Sequence, residues 1–159
     1  MAKAIESDLT AAEHTLKELL VGSLVLAAGI RAGFPFLQFA NDVAGLESLL
    51  QIDSPITLSP APEIPADLTP DQKDHLALMQ LDSQEVTQLH CDANGTLTLK
   101  FHGGRSLIVS GTACDDSNPE PWVVTQTNVK TTEGGAKVVS LGYSGFAVWK
   151  RTPDLPDAH

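Results

Sequence analysis

Residues 90–111, HCDANGTLTLKFHGGRSLIVSG, constrain the fold more than any other stretch of the chain. Asn94-Gly95 is a strong hairpin signal, because both residue types tolerate the positive φ of a type I′ turn. Residues 96–101 then alternate between polar and apolar, which gives a strand with one apolar face. Gly103-Gly104 forms a second turn, and residues 106–110 return as another strand. The stretch therefore predicts an antiparallel meander, but it indicates no chemistry.

A first helix is predicted over residues 11–20. Thr10-Ala-Ala-Glu13 has the capping-box pattern of a helix start, and leucines follow at helical spacing. Gly22 then ends the helix, since glycine is common just beyond a helix C-terminus.

A second helix is predicted over Pro70–Met79. Thr69 is suited to the N-cap position, Pro70 to the first turn and Gln72 to the position that completes a capping box. We expect Leu76 and Met79 to face inward.

The predicted strands are bounded by turn residues and are rich in apolar and β-branched side chains. They fall at about residues 23–30, 34–39, 47–52, 85–91, 96–102, 106–110 and 122–127, with one or two more within 138–150. Five prolines within residues 55–70 predict an extended connection without a hydrogen-bonded ladder of its own. The tail from Arg151 is expected to be loose.

A weak internal repeat divides the chain into residues of about 10–58 and 69–127. Residues 33–39 match residues 95–101 at Gly, Leu and Phe, at an offset of 62. Each half would be a helix followed by a three-stranded meander, and two such halves would pair to cover their apolar faces. Chance similarity explains the match about equally well. The fold class predicted is a single α+β domain with a mainly antiparallel sheet and two short helices.

Charge limits the classes of partner. The 159 residues include 20 acids and 10 bases, for a formal charge of −10. An acidic surface repels phosphate backbones, so direct binding of nucleic acid is not expected. The charge suits a basic protein partner, or solubility alone.

The N-terminal sequence has no secretory signal, and the apolar run at residues 19–30 is too short to span a bilayer. Two cysteines, Cys91 and Cys114, suit reduced thiols in a cytoplasm, although one disulfide stays possible. We therefore expect a cytoplasmic protein without a membrane partner.

Metal and nucleophile chemistry are weakly indicated. His90, Cys91, His102 and Cys114 are zinc-ligand types, but their spacing matches no finger or ribbon. Cys91 with His102 would be a nucleophile pair, yet no basic cluster accompanies the thiol to lower its pKa. We expect no enzyme activity, metal or cofactor.

The acids are concentrated in the middle of the chain. Residues 40–99 contain ten acids and one base, Lys73, and such a surface can steer a basic partner. A solvated surface explains the same pattern. Trp122 would be an interface anchor or would close the β core. The candidate partner-binding residues are Asp42, Glu47, Asp53, Glu63, Asp67, Asp71, Asp74 and Trp122.

The pattern L-x-L-x-F-x-G-G-x-x-L-x-V at residues 97–109, followed by Glu120-Pro121-Trp122, resembles small bacterial β domains encoded beside toxin genes. Some of those domains are immunity proteins of polymorphic or contact-dependent toxin systems. The resemblance covers residues 86–124, with a fainter copy at 22–52. It implies a binding protein that blocks a toxin, and the acidic middle suits a basic nuclease toxin. We expect the chain to be a monomer or a homodimer. The alternative is a small-molecule binding or sensing domain with a pocket between the two halves.

Overall fold

A computed structural model describes residues 2–114, 120–128 and 135–150. The predicted loose tail from Arg151 lies outside the described residues. The described part forms two α-helices, α1 (Ala2–Leu20) and α2 (Pro70–Met79). Its strands are β1 (Leu24–Arg31), β2 (Phe34–Asn41), β3 (Leu46–Ile52), β4 (Ile56–Ser59), β5 (Val86–Cys91), β6 (Leu97–Phe101), β7 (Ser106–Val109), β8 (Trp122–Gln126), β9 (Lys137–Ser140) and β10 (Phe146–Trp149).

The strands form two antiparallel sheets, which confirms the predicted α+β class. The six-stranded sheet has the order β1-β2-β3-β8-β9-β10, and the four-stranded sheet has the order β4-β7-β6-β5. The turn from β9 to β10 passes through a short 3-10 helix at Gly142–Ser144. The predicted interruption of residues 138–150 is therefore present.

The two halves of the chain exchange their last strands. The first half contributes α1 and the meander β1–β3, and the second contributes α2 and the meander β5–β7. Strand β4 leaves the first half to pair with β7, while β8 leaves the second half to pair with β3. Helix α1 packs on β5 of the other half, and α2 packs on β1. Neither half can cover its core without the other.

The two meanders also meet where β1 and β5 begin. Leu24 and Glu85 form an isolated antiparallel bridge. Beside it the Gly22 N–H donates to the Val86 carbonyl, and the Ser83 N–H donates to the Val25 carbonyl, both at 2.8 Å. Both strands then have a register shift, after Val25 in one and after Val86 in the other. The junction thus has matching geometry in both halves.

One core lies between the two sheets and under both helices. Its largest fully buried side chains are Trp122, Phe39, Leu16, Leu20, Leu37, Leu50, Ile52, Leu78, Leu81, Leu97, Leu99 and Leu107. The Trp122 Nε1–H donates to the Gly95 carbonyl at 2.7 Å. This bond satisfies the polar atom of the indole, so the ring can be buried without an unpaired donor.

The boundaries of α1 differ from the prediction. The helix begins at Ala2, so the Thr10–Glu13 pattern lies inside it and does not cap it. The preceding residues include alanines, Lys3 and Glu6, which are good helix formers, and they extend the helix in the N-terminal direction.

The proline-rich connection was expected to have no ladder, which is wrong for Ile56–Ser59. This stretch is β4 and pairs with β7. Pro55 and Pro60 stand just outside the strand, where a missing N–H removes no ladder bond.

The Asn94-Gly95 turn is not type I′. Gly95 has a φ of 82°, whereas Asn94 is not in the positive-φ region. The Asp92 N–H donates to the Thr96 carbonyl, and the Asp92 carboxylate accepts from the Asn94 and Thr96 N–H groups. The carboxylate therefore stabilises a three-residue loop with glycine in the left-handed position.

Candidate functional site

Helix α2 is positioned by a complete capping box. Thr69 Oγ1 accepts a hydrogen bond from the Gln72 N–H at 3.2 Å, and Gln72 Oε1 accepts one from the Thr69 N–H at 3.0 Å. Pro70 begins the helix with its φ already suitable. On the inner face Ala77 and Leu78 are buried, and α2 packs on β1.

The prediction that Leu76 and Met79 face inward is wrong. Met79 is 50% exposed, and Leu76 is half-buried. The short helix has apolar residues on two faces. The face with Ala77 and Leu78 packs in the core, as does Leu81 just beyond the helix. Leu76 and Met79 are left to form an outer apolar face.

That outer face is a shallow apolar groove of about 280 Å³. Its lining residues repeat at intervals of three or four positions, with two of them adjacent, which places them on one side of the helix and of the turn before it. They are Leu68, Gln72, His75, Leu76 and Met79.

A row of acids runs beside the groove. Asp67, Asp71 and Asp74 also follow three- and four-residue spacing, one residue ahead of the groove positions. Burial raises the pKa of Asp74, and the nearby charge of Asp71 raises it further. Partial desolvation raises the pKa of Cys114, and the charges of Asp53, Asp74 and Asp71 raise it further. The end of β3 therefore brings Asp53 to the same side of the molecule.

We call this region the α2 surface. It consists of the acids Asp53, Asp67, Asp71 and Asp74 together with the groove residues Leu68, Leu76 and Met79. We include with it Glu63, an exposed residue of the connection that leads to α2.

The structure separates the other predicted acids from the α2 surface. Asp42 lies in the β2–β3 turn and Glu47 at the start of β3, both exposed. Asp53 lies six residue steps beyond Glu47 along an extended strand, a distance of about 20 Å. The sequence-predicted acids therefore do not form one patch.

Trp122 is fully buried in the core, with its indole nitrogen bonded to Gly95. It is not available as an interface anchor, and we leave it out of the α2 surface. The other interpretation of Trp122, closure of the β core, agrees with this placement.

The candidate zinc and nucleophile residues are dispersed. Cys91 pairs with Leu97 at one end of the β5–β6 hairpin, while His102 follows Phe101 at the other end. Burial raises the pKa of Cys91 to about 12, with further contributions from the charges of Glu13 and Asp92. Such a thiol is not ionised at neutral pH, so it is a poor nucleophile.

Cys91 is buried and Cys114 exposed, and the two thiols are free. Within the described residues, no group of three or more His, Cys, Asp or Glu side chains is arranged to hold a metal ion.

A second concavity lies between the halves. An open groove of about 590 Å³ separates α1 from β5, and its lining residues are His14, Lys17, Glu18, Val21, Thr87, Gln88 and Leu89. These side chains carry charges of both signs. The groove is larger than the one on α2, but its surface has no dominant charge.

Glu13 ties α1 to β5 beside this groove. Its carboxylate accepts a hydrogen bond from the Cys91 N–H at 3.1 Å and lies 2.9 Å from His90 Nδ1. Burial alone would raise the pKa of Glu13, but the bond from Cys91, the charge of Lys17 and the contact with His90 lower it on balance. Sequence reasoning missed this contact, because no local pattern links residues 77 positions apart.

The sequence also matches a protein family. One family profile matches residues 19–150, from the last turn of α1 through β10. The chain belongs to DUF6188, a family of unknown function. No curated protein and no solved structure matches the chain. Among the described helices, none has the length and apolar character needed to cross a membrane.

Proposed function

We propose that this DUF6188 chain is a non-catalytic binding protein whose α2 surface binds a basic protein. The observation that carries the proposal is the exposed apolar groove on α2 beside a row of acids. Exposed apolar patches with a polar rim are typical of protein interaction sites.

The two parts of the α2 surface would have different roles. Burying Leu76 and Met79 against a partner removes apolar area from water and favours the complex. The acids steer a basic partner during encounter and disfavour acidic competitors. A basic partner would also relieve the repulsion between Asp71 and Asp74, which contributes to the raised pKa of Asp74.

In its finer form, the proposal is that the chain is an immunity protein that neutralises a toxin. Support comes from the hairpin pattern at residues 97–109 and from the acidity of the α2 surface, which suits a basic nuclease. Stoichiometric binding needs no catalytic residue in the inhibitor, so a low-reactivity thiol such as Cys91 is compatible with it.

The test measures the association rate with the product of the adjacent gene at several ionic strengths. The variant reverses three exposed acids, Glu63, Asp67 and Asp71, to lysine. We expect association to slow by about tenfold or more at low salt and to lose most of its salt dependence, since salt screens charges over about 8–10 Å.

A matched control keeps the same change in net charge. It reverses Glu18, Asp42 and Glu47, which are exposed but lie away from α2. Equal slowing in both triple variants would show that net charge, and not the α2 surface, governs binding. A neighbouring product that binds neither the parent nor the control would count against the immunity interpretation.

A second candidate function is small-molecule binding in the groove between α1 and β5. The specific observation is that this groove of about 590 Å³ lies between the two halves, within the size range of ligand sites. Native mass spectrometry of the purified chain would test it. A retained small molecule that is lost when Gln88→Trp fills the groove would favour this function, and an empty chain would count against it.

A further inference from the structure

Strand β1 is an exposed apolar edge of the six-stranded sheet. Leu24, Leu26 and Ile30 are 43%, 50% and 44% exposed. The strand sequence is LVLAAGIR, so its one charged residue is Arg31 at the C-terminal end. Long apolar edges are templates for pairing with another strand, and soluble proteins usually protect them.

The backbone of β1 is open along this edge. Ala32 and Gly33 both have positive φ, so they form a two-residue turn with Arg31 and Phe34 as a hydrogen-bonded pair. The next pair, Ile30 and Pro35, is therefore a pair without hydrogen bonds between the two strands. The missing N–H of Pro35 agrees with this assignment.

By strand alternation, Ala28 and Ile30 direct their N–H and C=O groups away from β2. Among the described residues, no other strand lies on that side of β1 beyond the bridge at Leu24. In the part of the chain that the structure describes, neither residue has a hydrogen-bond partner there. The outward groups of Val25, by contrast, are bonded to Gln84 and Ser83.

The corresponding edge of the other half is protected. Strand β5 exposes the polar residues Thr87, Gln88 and His90. Its Cys91 N–H points outward and is taken by the Glu13 carboxylate of α1. The contrast with β5 shows that the architecture shared by the two halves does not impose an open apolar edge.

We propose that β1 pairs antiparallel with β1 of a second copy of this chain, so that the six-stranded sheet continues across a twofold axis. Ala28 and Ile30 would gain backbone hydrogen bonds, and Leu26 and Ile30 would be covered. A twofold pairing uses the same patch on both subunits, so the strand must be complementary to itself.

The charges at the two ends of the open stretch meet this requirement. Exposed Arg31 ends the stretch on one side, and exposed Glu85 lies at the bridge that ends it on the other. Antiparallel pairing brings Arg31 beside the partner subunit's Glu85, and the symmetry makes this contact twice. β1 carries no acid, so the net charge of −10 is not concentrated at the proposed contact.

Sedimentation equilibrium of the full chain tests the proposal. One short strand pair gives a small interface, so we expect a reversible dimer with a Kd on the order of 10–100 µM. Leu26→Lys should weaken the dimer about tenfold or more. The matched control Thr87→Lys, at the corresponding register shift on β5, should leave it unchanged. Circular dichroism checks that both variants fold.

A charge exchange distinguishes a second copy from any other occupant. Arg31→Glu alone and Glu85→Arg alone should each weaken self-association, because each places like charges together twice. Mixing the two variants should restore the dimer to near the wild-type Kd, since both contacts are then attractive. A wild-type chain that stays monomeric above 500 µM, or a mixture without recovery, would overturn the proposal; the concentration is about five times the highest expected Kd.

Discussion

The two halves of the chain build the same elements but expose different chemistry. Each half has a helix, a three-stranded meander and a fourth strand that joins the sheet of the other half. The first meander ends at an apolar open edge, β1, whereas the second ends at β5, which is polar and bonded to Glu13. The shared features form the scaffold, and the differences mark surfaces available for binding.

The helices differ in the same way. Where α1 lines the groove between the halves, it carries charges of both signs, Lys17 and Glu18. Helix α2 presents Asp71 and Asp74 beside an apolar groove. Matched substitutions in the two halves can therefore distinguish the contacts that the shared architecture requires from the properties of each surface.

The largest contrast is expected at the glycines of the first hairpin in each half. Gly33 and Gly95 have φ of 85° and 82°, so alanine is strained at both. A Cβ at Gly33 meets nothing within 4 Å, whereas one at Gly95 would lie 2.5 Å from Ser140 Oγ and 3.0 Å from Gly142 Cα. We expect Gly33→Ala to cost about 1 kcal/mol and Gly95→Ala about 3 kcal/mol or more.

Urea denaturation of the two variants measures this difference. Gly95 also accepts the Trp122 indole bond, so the fluorescence of the folded state should change in Gly95→Ala alone. Equal losses at the two glycines would show that backbone strain accounts for the whole effect and that the contact with β9 is unimportant.

A smaller contrast is expected at the helix that protects β5. Glu13→Ala leaves the outward Cys91 N–H without its acceptor and should destabilise the fold by about 1–2 kcal/mol near pH 7. The pKa of Glu13 is lowered by folding, so its stabilising contribution is full above the unfolded pKa of 4.5. That contribution is lost as the pH falls through the lower folded value.

The free energy of unfolding of the parent and of Glu13→Ala, measured from neutral to acidic pH, checks that this contribution is lost in acid. The control is Glu18→Ala, on the same helix, whose contact is a surface pair with His14. Its expected effect is a few tenths of a kcal/mol. A Glu13→Ala penalty that persists unchanged in acid would contradict the role of the ionised carboxylate.

The smallest expected effect is a gain in stability, from a substitution of Asp74. Asp74 lies one helix position from the groove, and burial and Asp71 raise its pKa. An acid whose pKa is raised by folding opposes folding when ionised, so stability falls as the pH rises through the folded pKa. Asp74→Asn should stabilise the fold by less than about 1 kcal/mol near neutral pH.

This gain should disappear below the unfolded pKa of 3.8, where Asp74 is protonated in both states. Thermal unfolding of parent and variant at both pH values is the measurement. If Asp74→Asn is less stable than the parent at neutral pH, the Asp74 carboxylate makes a favourable contact. Repulsion between Asp71 and Asp74 would then no longer support the proposed function.

Local patterns predicted the elements well because their signals lie within a few residues. The capping box at Thr69 predicted the bounds of α2, alternation predicted β6, and the flanking turn residues predicted β5 and β7. The exchange of β4 and β8 was missed, since nothing in Ile56–Ser59 indicates which distant strand it will pair with. Pairing of that kind depends on the whole core.

The site was predicted less completely than the fold. Sequence located the acids, but it grouped Asp42 with Asp74 and treated Trp122 as a surface candidate. A count of charges along the chain does not show which acids share a face. The apolar groove was hidden because Leu76 and Met79 have the same spacing whether they face the core or the solvent.

Amide hydrogen exchange, measured with and without the bound product of the adjacent gene, tests the central claim that the α2 surface is where this protein binds its partner. We expect slower exchange in α2 and in residues 60–69, with little change in α1 and β5. Slower exchange confined to α1 and β5, with α2 unchanged, would contradict it and place binding in the groove between the halves.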